Sequence, residues 1–222
     1  MNKLLIFLTF FTIFFTLISS FPTTLNKRAS FKPTQTISSK SAFTYYWDEF
    51  ESDHKGTKTA DIKTCNNKFI VTVLLDFANA LKIEGTGITK TNRVLNFGDC
   101  DCSSKSFSCF DELDKTKFPF GSTSNDTPLV PYITVAANDI RKGTLLYIPK
   151  LDGMLLPNGK THNGCVKADD TGDSFGGKHI DWFVARESNF EFLTNRDPFE
   201  SVSVFNDTHL KIRINEKVSI GI

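Results

Sequence analysis

ADDTGDSFGGKHIDWF, residues 168–183, is the stretch on which the reading of this chain turns. Asp169 and Asp170 end a short β-like run, Gly164 to Ala168. Asp173 with Gly172, Gly176 and Gly177 then reads as a glycine-rich loop. His179 to Ala185 (HIDWFVA) resumes as a β-prone strand. Alternation along that strand sets Asp181 on the face opposite Ile180 and Trp182. With those two packed inward, Asp181 faces solvent or a groove; the reverse orientation buries it. In a groove with aromatic neighbours, a carboxyl holds its proton more tightly and can serve as a general acid. The competing reading is that Asp169, Asp170 and Asp173 only cap turns and bind backbone amides. A calcium loop of the EF-hand type would alternate its ligands and close with Glu at its twelfth position, and this segment does neither. No metal or cofactor is expected.

Working outward, more short strands follow the same pattern. Upstream, Tyr132–Ala137 reads as a strand, Asn138–Gly143 as a turn and Thr144–Pro149 as a strand. Asp152-Gly153 and Pro157-Asn158-Gly159 are turn signals. Downstream, Val202–Phe205 and His209–Ile214 complete the set. Ala42–Trp47 (AFTYYW) is a first strand. Phe69–Leu75 reads as a strand or the start of a helix, with helical character continuing to Leu81. Ile83–Gly87 (IEGTG) is a tight turn that carries Glu84, and Cys100–Thr127 reads as one long loop. The expected class is mainly β, a small barrel or sandwich with little helix.

Met1–Lys3 is a basic start, Leu4–Ile18 carries no charge, and Ser19-Ser20 follow. That pattern predicts a signal peptide over residues 1–20 and a secreted, extracellular protein. The apolar run falls short of the roughly 20 residues needed to span a bilayer as a helix. Residues 21–40, rich in Ser, Thr and Pro, read as a pro-segment or linker. The pair Lys27-Arg28 is either a processing site or two solvated charges. One globular domain is expected over residues 41–217. Removing Lys3 with the signal takes the net charge from +1 to zero, which argues against a nucleic-acid partner. A neutral surface with 13% aromatic residues suits a neutral ligand such as a glycan. Cys65, Cys100, Cys102, Cys109 and Cys165 are expected to form disulfides, with one thiol left over from an odd number. Asn125-Asp126-Thr127 and Asn206-Asp207-Thr208 are glycosylation sequons.

Three segments together resemble the three-aspartate (3D) domain family. VAANDIRKGTLLYIP places Asp139 before a turn, Gly143 and a strand. ADDTGDSFGGKHID holds Asp170-Thr171-Gly172 and Gly177-Lys178, and HIDWF supplies Asp181. The match covers residues 131–186. The family is similar to the catalytic barrel of membrane-bound lytic transglycosylase A. The resemblance implies a six-stranded double-ψ β-barrel, shared with barwin-like proteins and expansins, with long disulfide-tied loops. It also implies that Asp181 is the catalytic acid/base and that Asp170 supports it. One carboxylate would then act twice on peptidoglycan, releasing a 1,6-anhydro product, where ordinary glycosidases use two. Asp139, Glu84, Lys178 and His179 are the candidate substrate-binding residues. His162 is expected to pack rather than act, and Trp182 to fill the core; Tyr45, Tyr46 and Trp47 are candidates for stacking on sugar rings. The alternative function is a non-catalytic, expansin-like wall-binding module that holds glycan in the same groove. A third reading makes the aspartates purely structural. The partner in the first two is a polysaccharide, engaged by a monomer with no membrane attachment after signal cleavage.

Overall fold

The computed structural model describes residues 35–101 and 103–206. The expected signal peptide, the Lys27-Arg28 pair, Cys102, and the expected strand His209–Ile214 lie outside the described residues.

The β-prone run after the linker forms β1 (Gln35–Tyr46). It begins before Ser41, so residues 35–40 of the expected linker belong to the strand. The barrel is completed by β8 (Thr134–Ala136), β9 (Thr144–Leu155), β10 (Thr161–Asp170), β11 (His179–Phe183) and β12 (Ser201–Asn206). These close in the order β1-β11-β8-β10-β9-β12. The β1/β11 and β10/β8 pairs are parallel, and the others are antiparallel. This is the mainly β, six-stranded barrel expected from the resemblance. Its interior is filled by Val135, Leu146, Ile148, Val166, Ile180, Trp182 and Val204, all essentially sealed from solvent. Asp152-Gly153 is not a turn as expected. β9 runs through it, because register shifts against β10 and a left-handed Gly153 (φ 93°) absorb the irregularity as a bulge.

The segment between β1 and β8 builds a second lobe with its own core. It contains β2 (Glu49–Phe50), one 3-10 turn, β3 (Thr59–Lys63), β4 (Phe69–Leu74), α1 (Leu75–Glu84), β5 (Thr86–Ile88), β6 (Val94–Phe97) and β7 (Phe110–Leu113). β2-β5-β6-β7 form one sheet and β3-β4 a hairpin. Phe77 and Leu81 of α1 pack with Ile62, Val73, Leu95 and Phe110. The expected long loop Cys100–Thr127 therefore contains a strand, and the ambiguous run Phe69–Leu81 is both strand and helix. Cys65 and Cys100 form a disulfide that closes a span of 35 residues, and Cys109 is also disulfide-bonded. Cys165 lies buried in β10 with its Sγ 3.6 Å from the Asn163 carbonyl. A second helix, α2 (Glu187–Arg196), was not legible in the sequence and buries only Leu193. Among the described residues, no helix is long and apolar enough to cross a membrane.

Candidate active site

Ile180 and Trp182 are buried in the barrel, so alternation along β11 turns Asp181 to the opposite face. The strand register then aligns a single row. Thr44 of β1 pairs with Asp181, Asp181 pairs with Ala136 of β8, and Ala136 pairs with Asp170 of β10. Residues paired in this way project from the same side of a sheet. Asp170 and Asp181 thus flank one methyl group, with the Thr44 hydroxyl beyond Asp181.

Asp170, Ala136, Asp181 and Tyr46 form the barrel side of a cleft of about 760 Å³. Glu84, Asn96, Phe97, Asp99 and Asp111 form the side contributed by the lobe. The loop at Ser122–Ser124 borders it as well. That loop is held in place from both sides. Asn96 Oδ1 accepts the Ser122 amide (3.1 Å), while buried Asp169 accepts from Thr127 Oγ1 (2.5 Å), Lys167 Nζ (2.6 Å) and Asn125 Nδ2 (3.0 Å). Burial alone would raise the Asp169 carboxyl, but Lys167, Thr127 and Asn125 together bring it below the usual range.

Thr44 Oγ1 donates to Asp181 Oδ1 at 2.6 Å and lies 2.7 Å from His179 Nε2. With the single hydroxyl proton directed at Asp181, the imidazole Nε2–H is the donor to Thr44. The Phe175 ring stacks on the imidazole with centroids 4.1 Å apart and holds its plane. Burial, aided by the charge of Asp170, raises the Asp181 carboxyl above its ordinary range; the Thr44 hydrogen bond and His179 oppose it. Asp170 accepts from the Tyr46 hydroxyl (2.9 Å) and from the amides of Ser124 (2.8 Å) and Thr171 (2.9 Å). Burial and then the neighbouring Asp170 carboxylate push the Tyr46 phenol well above its normal value, so it remains a donor.

Glu84 sits where α1 ends at the left-handed Gly85 (φ 78°). Burial against the cleft wall, then Glu49 and Asp181, raise its carboxyl. Asp48 also lines the cleft, is 2% exposed, and its Oδ2 meets no hydrogen-bond partner among the described residues. Burial, then Glu49 and Glu84, hold it well above the usual carboxyl range against a smaller pull from Arg186.

Of the residues singled out from sequence, Asp181, Asp170 and Glu84 meet at the cleft. Asp139, Lys178 and His179 do not line it. Asp139 Oδ2 instead accepts the Lys178 amide at 2.8 Å, and Gly177 packs against the same carboxylate. That contact fixes Lys178 in a left-handed conformation (φ 56°) at the entry to β11. His179 reaches the cleft through its hydrogen bond with Thr44 and through its electrostatic effect on Asp181. Asp169 and Asp170, beside a register shift in β10, both hold the Ser124–Thr127 loop, Asp169 through Asn125 and Thr127 and Asp170 through the Ser124 amide. His162 is buried: its Nδ1 accepts the Gly164 amide (2.9 Å), so its Nε2–H donates to the Tyr132 carbonyl (2.8 Å). Sequence reasoning missed Thr44, Asp48, Asp99 and Asp111. The crowding of aspartates around the cysteines in GDCDC was the available signal for Asp99, and nothing comparable marked Asp48.

No family model and no curated protein matches the sequence. Among solved structures, the chain is similar to Escherichia coli MltA with bound chitohexaose, at 13% identity and a TM-score of 0.51, over 76% of this chain and 71% of that one. The lytic transglycosylase LtgG of Burkholderia pseudomallei is also similar, at 12% identity and a TM-score of 0.41, over 76% of this chain and 73% of that one. So is a membrane-bound lytic murein transglycosylase from Agrobacterium tumefaciens, at 11% identity and a TM-score of 0.40, over 84% and 77%. Resting on the first of these and on the closed barrel, the chain has the double-ψ barrel fold of the MltA lytic transglycosylase structures.

Proposed function

We propose that this protein cleaves a β-1,4 glycan of the peptidoglycan type by lytic transglycosylation, with Asp181 as acid and then base. The observation that carries this reading is the position of Asp181: a carboxyl with a raised pKa, held by Thr44, in a cleft beside Asp170. In the first step protonated Asp181 gives its proton to the glycosidic oxygen as the bond from that oxygen to the anomeric carbon breaks. The Asp181 carboxylate then accepts the proton of the sugar's own C6 hydroxyl while that oxygen bonds to the anomeric carbon. The product is a 1,6-anhydro sugar, Asp181 is protonated again, and no water is consumed. Asp170, fixed by Tyr46 and two amides, stands across Ala136 and balances the positive charge that develops on the ring. Because the first step needs the protonated acid, the rate falls as pH rises through the raised pKa of Asp181. The chitohexaose in the E. coli structure of the same fold supports an oligosaccharide ligand. The Cys65–Cys100 disulfide supports the expected oxidising, extracellular location.

The test is mass spectrometry of fragments released from peptidoglycan by the protein and by Asp181→Asn. The expected result is anhydro-sugar fragments from the native protein and a loss of about 10²–10⁴-fold in a folded variant. Reducing-end fragments would make the enzyme a hydrolase. Glycan retention without fragments from either protein would replace the enzyme by an expansin-like binding module.

A further inference from the structure

The charges of the cleft are segregated to a degree the whole chain does not suggest. The chain carries 26 Lys and Arg residues against 25 Asp and Glu, yet the cleft lining holds eight Asp and Glu side chains and no Lys, Arg or His. Asp99, Asp111, Asp126 and Asp173 are exposed along it and form no ion pair within the described residues. The cations near the cleft are engaged elsewhere. Arg186 pairs with Asp53 (3.0 Å) and lies over the Phe50 ring (3.4 Å), and Lys142 Nζ donates to the Ser124 carbonyl (2.5 Å). Deeper in, the buried Asp48 Oδ2 has no hydrogen-bond partner among the described residues. A buried acceptor left open in a binding cleft is satisfied by a donor on the ligand, or it costs free energy in every state.

We infer that the cleft takes a cationic glycan: a β-1,4 oligomer of 2-amino sugars in which some residues carry free, protonated amines. This rests on the glycan reading above and names the substrate class for the same site. Rows of like charge raise the local concentration of a counter-charged chain and steer it into the groove. Protonated amines on the sugars beside the scissile bond meet Asp99, Asp111, Asp126 and Asp173. An ammonium group that reaches Asp48 supplies the missing donor.

The experiment compares binding of two hexasaccharides to the full chain at mildly acid pH by calorimetry: chitohexaose, which is neutral, and the glucosamine hexamer, which is cationic. The expected result is an affinity for the cationic hexamer about tenfold greater at low salt, with the preference shrinking as added salt screens the exposed charges. In the variant Asp99→Asn/Asp111→Asn/Asp126→Asn/Asp173→Asn, checked for folding by its melting curve, the ratio of the two affinities falls towards one. Equal binding of both hexamers, or tighter binding of the neutral one, overturns the cationic preference and leaves the glycan reading standing. A preference that survives in the variant overturns its assignment to these carboxylates. Failure to bind either hexamer removes the glycan reading and the inference with it.

Discussion

Asp48 is buried with one oxygen unpartnered, an arrangement that destabilises the folded chain whenever the group is ionised. The sign follows from its raised pKa. The native state binds the Asp48 proton more tightly than the unfolded chain does, where the value is about 3.9. The contribution of Asp48 to stability is therefore most favourable below that value. It is lost as pH rises from there through the raised native pKa. Asp48→Asn, which needs no proton, is expected to raise the melting temperature at neutral pH by about 2–4 °C, the shift that about 1 kcal/mol gives in a chain of this size. The gain should vanish near pH ~4, and melting curves of the two proteins across that range check it. Nothing in the sequence TYYWDEF marks Asp48 as buried. For Asp181 the sequence left two orientations open, and the burial of Ile180 and Trp182 in the barrel decides between them by turning Asp181 to the other face. Asp139 belongs to the same motif, yet its carboxylate holds the Lys178 amide. The spacing of the three aspartates could not separate a group in the cleft from one that shapes the loop leading to it.

At the scale of elements, α1 lies so close to β5 that Gly87 leaves no room for a side chain. A Cβ there would sit 2.8 Å from Phe77 Cζ and 2.9 Å from Leu81 Cδ1. Gly87→Ala is expected to destabilise by about 1–3 kcal/mol, the usual cost of overpacking. It would appear as a lower denaturant midpoint with unchanged slope. The same contact fixes the end of α1, and so the position of Glu84. Among the barrel strands, β1, β11 and β12 alternate over a buried face, while β8 is three residues long and buried throughout. The lobe's sheet was not legible in the sequence. β5, β6 and β7 are only three or four residues long, and β5 is buried throughout, so period two has no room to show. α2 was missed for the opposite reason: its sequence ESNFEFLTNR buries a single residue and carries no apolar stripe. The Asp152-Gly153 pair signalled a turn, but pairing with β10 and the Tyr147 hydroxyl on Asp152 (2.8 Å) keep the strand intact around a bulge.

At the scale of the molecule, two cores share one cleft, and the disulfide lies at the lobe's edge of it. Gly98 packs against both Cys65 Sγ and the Asp111 carboxylate, and Cys100 adjoins Asp99. Closing 35 residues confers about 4 kcal/mol by the chain-entropy account. Paired Cys65→Ser and Cys100→Ser substitutions should lower thermal stability by up to that amount, read from melting curves against the parent. Loosening that edge should also weaken glycan binding more than it perturbs near-ultraviolet signals from Trp182 in the barrel. That the insertion after β1 folds as a lobe, rather than as a set of loops, was not visible in a sequence read for one domain. Its apolar residues are too dispersed between turns to announce a second core.

The row Thr44–Asp181–Ala136–Asp170 also has a consequence in time. Thr44 stands 137 residues before Asp181, and strand pairings of long sequence separation bring the row together. Such pairings are slow to form. No local hairpin brings Asp181 together with both Thr44 and Asp170. The row therefore exists only once the β1/β11, β11/β8 and β10/β8 ladders have all closed.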